Sequence, residues 1–140
     1  MTADSPHSTS RTARCQCGAL EARCAGQPWR ISLCHCFACK ARTGSDFTLN
    51  ATYRDEQVVL SGAPRLWERQ GEDGGHWVRQ YFCGECGTTL YHRIEQRPGS
   101  VSVAIGCFGT RDFPPPAYEV YSECAMSGLN LQIEPQAERQ

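Results

Sequence analysis

The chain has 140 residues, of which 40% are hydrophobic, and its formal net charge is −1 at pH 7. A chain of this length is most simply one domain around a single core. Its near-neutral charge gives no electrostatic reason to expect nucleic acid or an anionic membrane as a partner. No stretch approaches the roughly 20 apolar residues of a membrane-spanning helix.

The residues before the first cysteine pair show no hydrophobic periodicity and are rich in Ser and Thr. This composition predicts a disordered N-terminal lead over residues 1–13. The predicted domain then covers residues 14–130, and residues 131–140 form a predicted C-terminal tail.

Short strands dominate the predicted domain. Alternating apolar and polar residues predict strands at 20–24, 29–33 and 47–53. The spacing of two cysteines predicts one helical turn over residues 36–42, which ends at Gly44. Turns rich in Gly and Pro separate the other strand candidates, which are residues 57–60, 65–69, 76–82, 88–94, 101–105 and 118–121. The pattern predicts a mainly β domain of short strands, with metal adding cohesion at the loop ends.

Ten cysteines are the most informative feature of the composition. In a short chain they are typical of either a disulfide-linked secreted domain or an intracellular metal-binding protein. Residues 1–14 contain no apolar run typical of a signal peptide. We therefore predict a cytoplasmic protein whose closely spaced thiols bind metal. Disulfides are the alternative, although thiols one or two residues apart are poorly placed to join distant segments.

Two cysteine pairs, far apart in the chain, are typical of a structural zinc site. Cys15 and Cys17 form the first pair, and Cys83 and Cys86 form the second. Together they supply the four thiolates of a closed tetrahedral site. Such a site has no open position for a substrate, so its expected role is structural.

A third group, Cys34, Cys36 and Cys39, has only three thiols. Three ligands leave the fourth position of a tetrahedral zinc open to water or substrate, which is the geometry of a catalytic site. The alternative is that a lone cysteine or His92 completes a second structural site. His35 is less suited to ligation, because neighbouring side chains of an extended segment point to opposite faces. We expect it to form a hydrogen bond near the site, with a core or surface role as the alternative.

The charge of the three-thiol group limits its chemistry. Three thiolates around Zn²⁺ leave one net negative charge, so this centre should be a weaker Lewis acid than a three-histidine site. A thiolate-rich centre with an open position is better suited to binding another thiol in its deprotonated form. The sequence therefore predicts a small thiol substrate, whose sulfur reacts with a carbon electrophile.

Two short motifs accompany the cysteine groups, Thr43-Gly-Ser45 after the third group and Phe82 and Thr88 around the last pair. The ordered set, over residues 14–129, resembles the glutathione-dependent formaldehyde-activating (GFA) family, which also includes the centromere protein V group. The resemblance implies a β-tent zinc fold of short antiparallel strands. It also implies two zinc ions per chain, a structural one on the two outer pairs and a second one on the three-thiol group.

The resemblance further implies an enzyme of carbon–sulfur lyase type. The family's named activity is condensation of glutathione with formaldehyde to S-(hydroxymethyl)glutathione, or the reverse. By this resemblance, Cys34, Cys36 and Cys39 would be the ligands of the catalytic zinc. Because glutathione carries two carboxylates, Arg42 is a candidate to hold them, with a solvated helix charge as the alternative. The candidate substrate-binding residues are Arg42, Thr43 and Ser45.

A non-catalytic, zinc-stabilised binding or interaction module is the alternative function, because relatives with a β-tent fold include such proteins. Two features differ from the family's usual pattern. Cys107 lies in the glycine-containing stretch 106–109, and residues 118–121 stand where the family usually has a histidine. Neither difference involves a zinc ligand, so both bear on the identity of the substrate and not on the fold. Cys107 and Cys124 are predicted to be small, buried apolar residues.

Overall fold

The structure is a computed structural model, and it describes residues 9–72, 74–129 and 131. These residues contain ten strands, one α-helix and three short 3-10 helices. The strands are β1 (Ser10–Arg14), β2 (Glu21–Ala25), β3 (Arg30–Cys34), β4 (Thr48–Arg54), β5 (Val58–Ser61), β6 (Arg65–Gln70), β7 (Trp77–Phe82), β8 (Thr89–Ile94), β9 (Ser100–Ala104) and β10 (Tyr118–Val120). Helix α1 spans Phe37–Thr43, and the 3-10 helices are Asp55–Gln57, Ile105–Phe108 and Ser122–Cys124.

The strands form two sheets. One has three strands in the order β1-β2-β5, and the other has seven in the order β10-β3-β4-β9-β8-β7-β6. The described strand pairs are antiparallel, except that β10 runs parallel to β3. The prediction of a mainly β, largely antiparallel single domain is thus confirmed, and each predicted strand lies within about one residue of its observed bounds.

The predicted disordered lead is wrong in its last part. Ser10–Arg14 forms β1, which pairs with β2 along its whole length, and Ala13 lies opposite Ala22 in the core with no exposed surface. The sequence pattern did not indicate this strand, because its side chains other than Ala13 are polar. The strand contributes mostly backbone hydrogen bonds to the three-stranded sheet. Residues 1–8 of the lead and 132–140 of the predicted tail lie outside the described residues.

The main core lies between the three-stranded sheet and one face of the seven-stranded sheet. Leu20 and Ala22 contribute from the first sheet and its turn, and Tyr53, Val101 and Val103 contribute from the second. All five are at most 2% exposed. Burial of this apolar surface is the main force that holds the two sheets together.

The opposite face of the seven-stranded sheet is polar, yet much of it is also buried. Strand pairing places Arg30 beside Thr52, and Thr52 beside Ser102. His92 lies next to Ser102 in this row, and Gln80 follows. Except for the half-buried His92, these side chains are at most 9% exposed. Buried polar groups need hydrogen-bond partners, and Thr52 Oγ1 and Ser102 Oγ provide one such pair at 2.8 Å.

Helix α1 follows β3 almost directly and is closed at both ends. Cys36 is its N-cap, and its sulfur accepts a hydrogen bond from the Cys39 N–H at 3.3 Å. Gly44 ends the helix in the left-handed region (φ 72°), where glycine is favoured, and its N–H donates to the Lys40 carbonyl. Among the described residues, no helix is long and apolar enough to cross a membrane.

Replacing Ala13 with Glu tests whether β1 belongs to the core. We expect a loss of about 3 kcal/mol or more in the free energy of unfolding, because a carboxylate would be buried without a partner. The matched control is Ser10→Glu, at an exposed position of the same strand, with an expected change within about 0.5 kcal/mol. Urea unfolding measures both, and equal stability of the two variants would contradict the position of β1.

Candidate metal centres and the adjoining cavity

Cys15, Cys17, Cys83 and Cys86 come together from two distant turns. Their four sulfur atoms all lie within 4.8 Å of one another. The Cys15 and Cys17 sulfurs are 3.8 Å apart, and those of Cys17 and Cys83 are 3.6 Å apart. A Zn–S bond of about 2.3 Å places two sulfurs of a tetrahedral site about 3.8 Å apart. The donor set and its spacing therefore fit a four-coordinate zinc.

The backbone of the two turns points N–H groups at these sulfurs. The Leu20 N–H donates to Cys15 Sγ at 3.2 Å, and the Glu85 N–H donates to Cys83 Sγ at 3.4 Å. Gly18 has a φ of 83° directly after the first pair, a conformation that favours glycine. Burial raises the pKa of Cys15, but the Leu20 hydrogen bond and those of two neighbouring thiols outweigh it and leave this pKa lowered. The deprotonated thiol is the form that binds a metal.

The thiols of this group differ in their tendency to ionise. Hydrogen bonds from the Thr88 side chain and backbone lower the pKa of Cys86 to about 5. The pKa of Cys17 is raised to about 12: a backbone hydrogen bond from Ala19 lowers it, but the Cys83 side chain and the other neighbouring thiols raise it more. A cation is therefore needed to keep the whole group deprotonated.

Cys34, Cys36 and Cys39 form the second group, and their sulfurs also lie within 4.8 Å of one another. The Cys36 N–H lies 3.5 Å from Cys34 Sγ. Within the described part of the chain, no further His, Cys, Asp or Glu ligand atom joins the three sulfurs at that spacing. Neither His92 nor a lone cysteine is therefore positioned as a fourth ligand in this arrangement.

These three thiols do not ionise together. Hydrogen bonds from Cys34 and Cys36 hold the pKa of Cys39 well below its usual range. Hydrogen bonding to Cys36 and Cys39, together with burial, raises the pKa of Cys34. The pKa of Cys36 is raised to about 11, because the Cys39 hydrogen bond and burial outweigh the lowering effect of Cys34. The group alone thus favours one negative charge, and three thiolates require a bound cation.

His35 lies between two of these cysteines in sequence but is turned away from their sulfurs. Its side chain is 2% exposed, and its Nε2 is 2.7 Å from Glu119 Oε2 on β10. Its backbone N–H donates to the Val120 carbonyl at 3.1 Å. The prediction that His35 forms a hydrogen bond near the site is confirmed, and the contact joins the cysteine segment to β10.

A cavity of about 210 Å³ adjoins the three sulfurs on the polar face of the seven-stranded sheet. A small molecule can therefore lie beside the thiols. Its described charged lining residues are Arg30, Arg42, Arg69, Glu72 and Arg97, and its polar ones include Ser32, Asn50, Gln80, His92 and Gln96.

The predicted substrate-binding residues do not all face this cavity. Arg42 lines it, with Nη2 3.8 Å from Cys39 Sγ. Thr43 Oγ1 donates to the Cys39 carbonyl at 2.9 Å and accepts from the Ser45 N–H at 3.2 Å, so these residues shape the end of α1. Thr43 lines a second cavity, of about 340 Å³, and Ser45 is among the lining residues of neither cavity.

The far wall of the cavity, where Arg69, Gln80 and His92 lie on β6, β7 and β8, was not predicted from the sequence. Of these residues, only His92 was a candidate, as a fourth ligand of the three-sulfur group. Arg69 Nε donates to Gln80 Oε1 at 3.3 Å, and Gln80 lies opposite His92 in the sheet. Burial, followed by the positive charge of Arg42, lowers the pKa of His92 to about 4, so its ring is neutral near pH 7. Only strand register brings these residues together, and the alternating polar positions were the available signal.

Cys24, Cys107 and Cys124 belong to neither sulfur group. Cys24 is 1% exposed. Cys107 and Cys124, predicted to be small, buried apolar residues, each lie in a short 3-10 helix and are only partly buried. Cys107 packs against the main core. All ten cysteines are free thiols, so the structure does not support the disulfide alternative.

Comparisons with known proteins agree with this arrangement. A family model described as "Glutathione-dependent formaldehyde-activating enzyme" matches residues 10–124, which include every cysteine of both groups. The crystal structure of a Rhodobacter sphaeroides protein is similar in fold, with 22% sequence identity and a TM-score of 0.53. The alignment covers 74% of this chain and 91% of that one. The extent of the family match shows that the chain belongs to the glutathione-dependent formaldehyde-activating family.

Proposed function

We propose that the protein is a zinc-dependent enzyme of carbon–sulfur lyase type that joins a small thiol to an aldehyde. The formation of S-(hydroxymethyl)glutathione from glutathione and formaldehyde, or its reversal, is the reaction to test first. The observation that carries this proposal is the three-sulfur group, which has no fourth ligand atom among the described residues and adjoins a cavity. Membership of the family supports the same reaction.

The two sulfur groups have different proposed roles. The four-sulfur group would bind a structural zinc that ties the start of the domain to its middle. The three-sulfur group of Cys34, Cys36 and Cys39 would bind the catalytic zinc, because its donors are soft and its thiols need a cation to ionise together. A zinc ion held by these cysteines would supply a Lewis-acidic centre that favours the deprotonated form of an entering thiol.

The neighbouring side chains would bind and orient the substrate. Arg42, close to Cys39, can hold a carboxylate of the thiol through two parallel hydrogen bonds. The sulfur, once oriented, forms a bond to the carbonyl carbon of the aldehyde. The electron pair of the C=O π bond moves to oxygen, which takes a proton from solvent and becomes the hydroxyl of the adduct. The reverse reaction follows the same steps backwards.

Other features support the partner and location that we propose. The cavity volume of about 210 Å³ favours a small-molecule partner, and the net charge of −1 gives no support for nucleic acid or an anionic membrane. The ten free thiols suit the reducing conditions of the cytoplasm.

Metal content and stability should separate the roles of the two sulfur groups. We expect two zinc ions per chain, one in a Cys36→Ser variant that stays folded, and a large loss of thermal stability in Cys83→Ser. Cys124→Ser, outside both groups, is the control and should keep both metals. Elemental analysis and thermal unfolding measure these outcomes. If Cys36→Ser unfolds as readily as Cys83→Ser, the three-sulfur site is structural.

Catalysis can be measured at equilibrium, because glutathione and formaldehyde also react without an enzyme. The zinc-replete protein should speed the exchange between glutathione and its hydroxymethyl adduct, as followed by NMR exchange spectroscopy. Cys36→Ser should lose this acceleration, whereas Cys124→Ser should retain it. A wild-type protein with both metals bound and no effect on exchange would contradict the proposal and favour the interaction module.

A further inference from the structure

We propose that the cavity selects thiols that have an anionic group at a distance from the sulfur, and that Arg69 and Arg97 bind this anionic group. The inference rests on the proposed function, because it takes the sulfur to enter beside Cys34, Cys36 and Cys39. It adds a specificity determinant on strands and turns that are distant in sequence from the cysteines.

Positive charge lies on both sides of the cavity. Arg42 is next to the sulfurs, with its Nη2 3.8 Å from Cys39 Sγ. Arg69 lines the cavity from β6, which four strands separate from β3 in the seven-stranded sheet, and Arg97 lines it from the turn between β8 and β9. A ligand whose sulfur lies beside the cysteines can therefore contact Arg69 or Arg97 only through a group that is separated from the sulfur.

Strand register and hydrogen bonding turn Arg69 towards the cavity. Its strand position lies beside Val78, which in turn lies beside Ile94, and all three residues line the cavity. Its Nε donates to Gln80 Oε1 at 3.3 Å, and its side chain is only 16% exposed. The guanidinium group is thus held against the wall of the cavity instead of extending into solvent.

Arg97 is placed at the same wall by a tight turn. Its backbone N–H donates to the carbonyl of Ile94 at 3.2 Å, directly after β8. The positive charges of Arg42, Arg69 and Arg97 all act on the His92 ring and help to lower its pKa to about 4, although burial is the largest cause. Arg97 and Arg69 both line the cavity, and a ligand anion in it would experience the positive charge that also acts on His92.

Glu72 already acts as a carboxylate partner for Arg69. Both of its oxygens approach Arg69 Nη1, at 3.3 and 3.4 Å. Glu72 is the single acidic residue of the described cavity lining, against four arginines. Among the described lining residues, the formal charge thus stays positive even with the one negative charge that a zinc–trithiolate centre would add. A ligand carboxylate can bind the same guanidinium and would compete with Glu72 for it.

Calorimetric titration of the zinc-replete protein with two matched thiols tests the inference. Glutathione has both carboxylates, and glutathione diethyl ester has the same thiol with both carboxylates masked. Charged hydrogen bonds are strong enough that we expect the wild type to bind glutathione at least about tenfold more tightly than the ester. Arg69→Gln and Arg97→Gln should each reduce this preference severalfold, with little effect on the ester.

Two further variants sharpen the test. Glu72→Gln should strengthen glutathione binding severalfold and leave ester binding unchanged, because it removes the competing carboxylate. Arg79→Gln is the matched control on the opposite face of β7. It removes the same charge outside the cavity lining and should leave the preference unchanged.

The outcomes separate this inference from the proposed function. If glutathione and its ester bind equally well, or if the arginine variants keep the wild-type preference, charge selection is overturned while thiol binding stands. If the zinc-replete wild type binds neither thiol, both the proposed function and this inference fail. A loss of glutathione binding in Glu72→Gln would overturn the role given to the Arg69–Glu72 contact.

Discussion

The close packing of thiol sulfurs is the constraint on which the rest of the structure depends. The four sulfurs of one group lie within 4.8 Å of one another, and so do the three sulfurs of the other group. At such distances, several thiolates cannot all stay ionised without a cation. The opposed pKa shifts of Cys34 and Cys39 express this conflict directly. A soft divalent metal would resolve it. In the first group the metal would join two turns of the domain, and in the second, under the proposed function, it would offer a position to a substrate.

The seven-stranded sheet connects this chemistry to the fold. Its apolar face, with residues such as Tyr53 and Val103, packs against the three-stranded sheet and supplies the core. Its polar face carries the cavity, which is also lined by Cys34 at the end of β3, by Cys36 at the N-cap of α1 and by Cys39 in α1. Because side chains alternate along each strand, the same strands contribute to the core on one face and to the cavity lining on the other. The site is thus built mainly on regular structure, which holds side chains more rigidly than loops do.

Much of the fold and both sulfur groups could be predicted from local sequence features. Short alternating runs located the strands, and the spacing of the cysteines grouped them. The sequence also predicted the alternation of β4, in which Asn50 and Thr52 alternate with apolar residues. The burial of both residues, and the position of Asn50 in the cavity lining, were not predictable, because alternation does not distinguish a solvated face from a buried polar one. The strand β1 and the position of Arg69 at the cavity were not predicted for a related reason, because both depend on long-range strand pairing.

The central claim is that Cys34, Cys36 and Cys39 hold a zinc ion whose fourth position accepts a thiol. A crystal structure of the zinc-replete protein soaked with glutathione tests it most directly. The account predicts the glutathione sulfur about 2.3 Å from the second zinc, with the three cysteines completing a tetrahedron. A fourth protein ligand on that zinc, or glutathione bound with its sulfur away from the metal, would contradict the account.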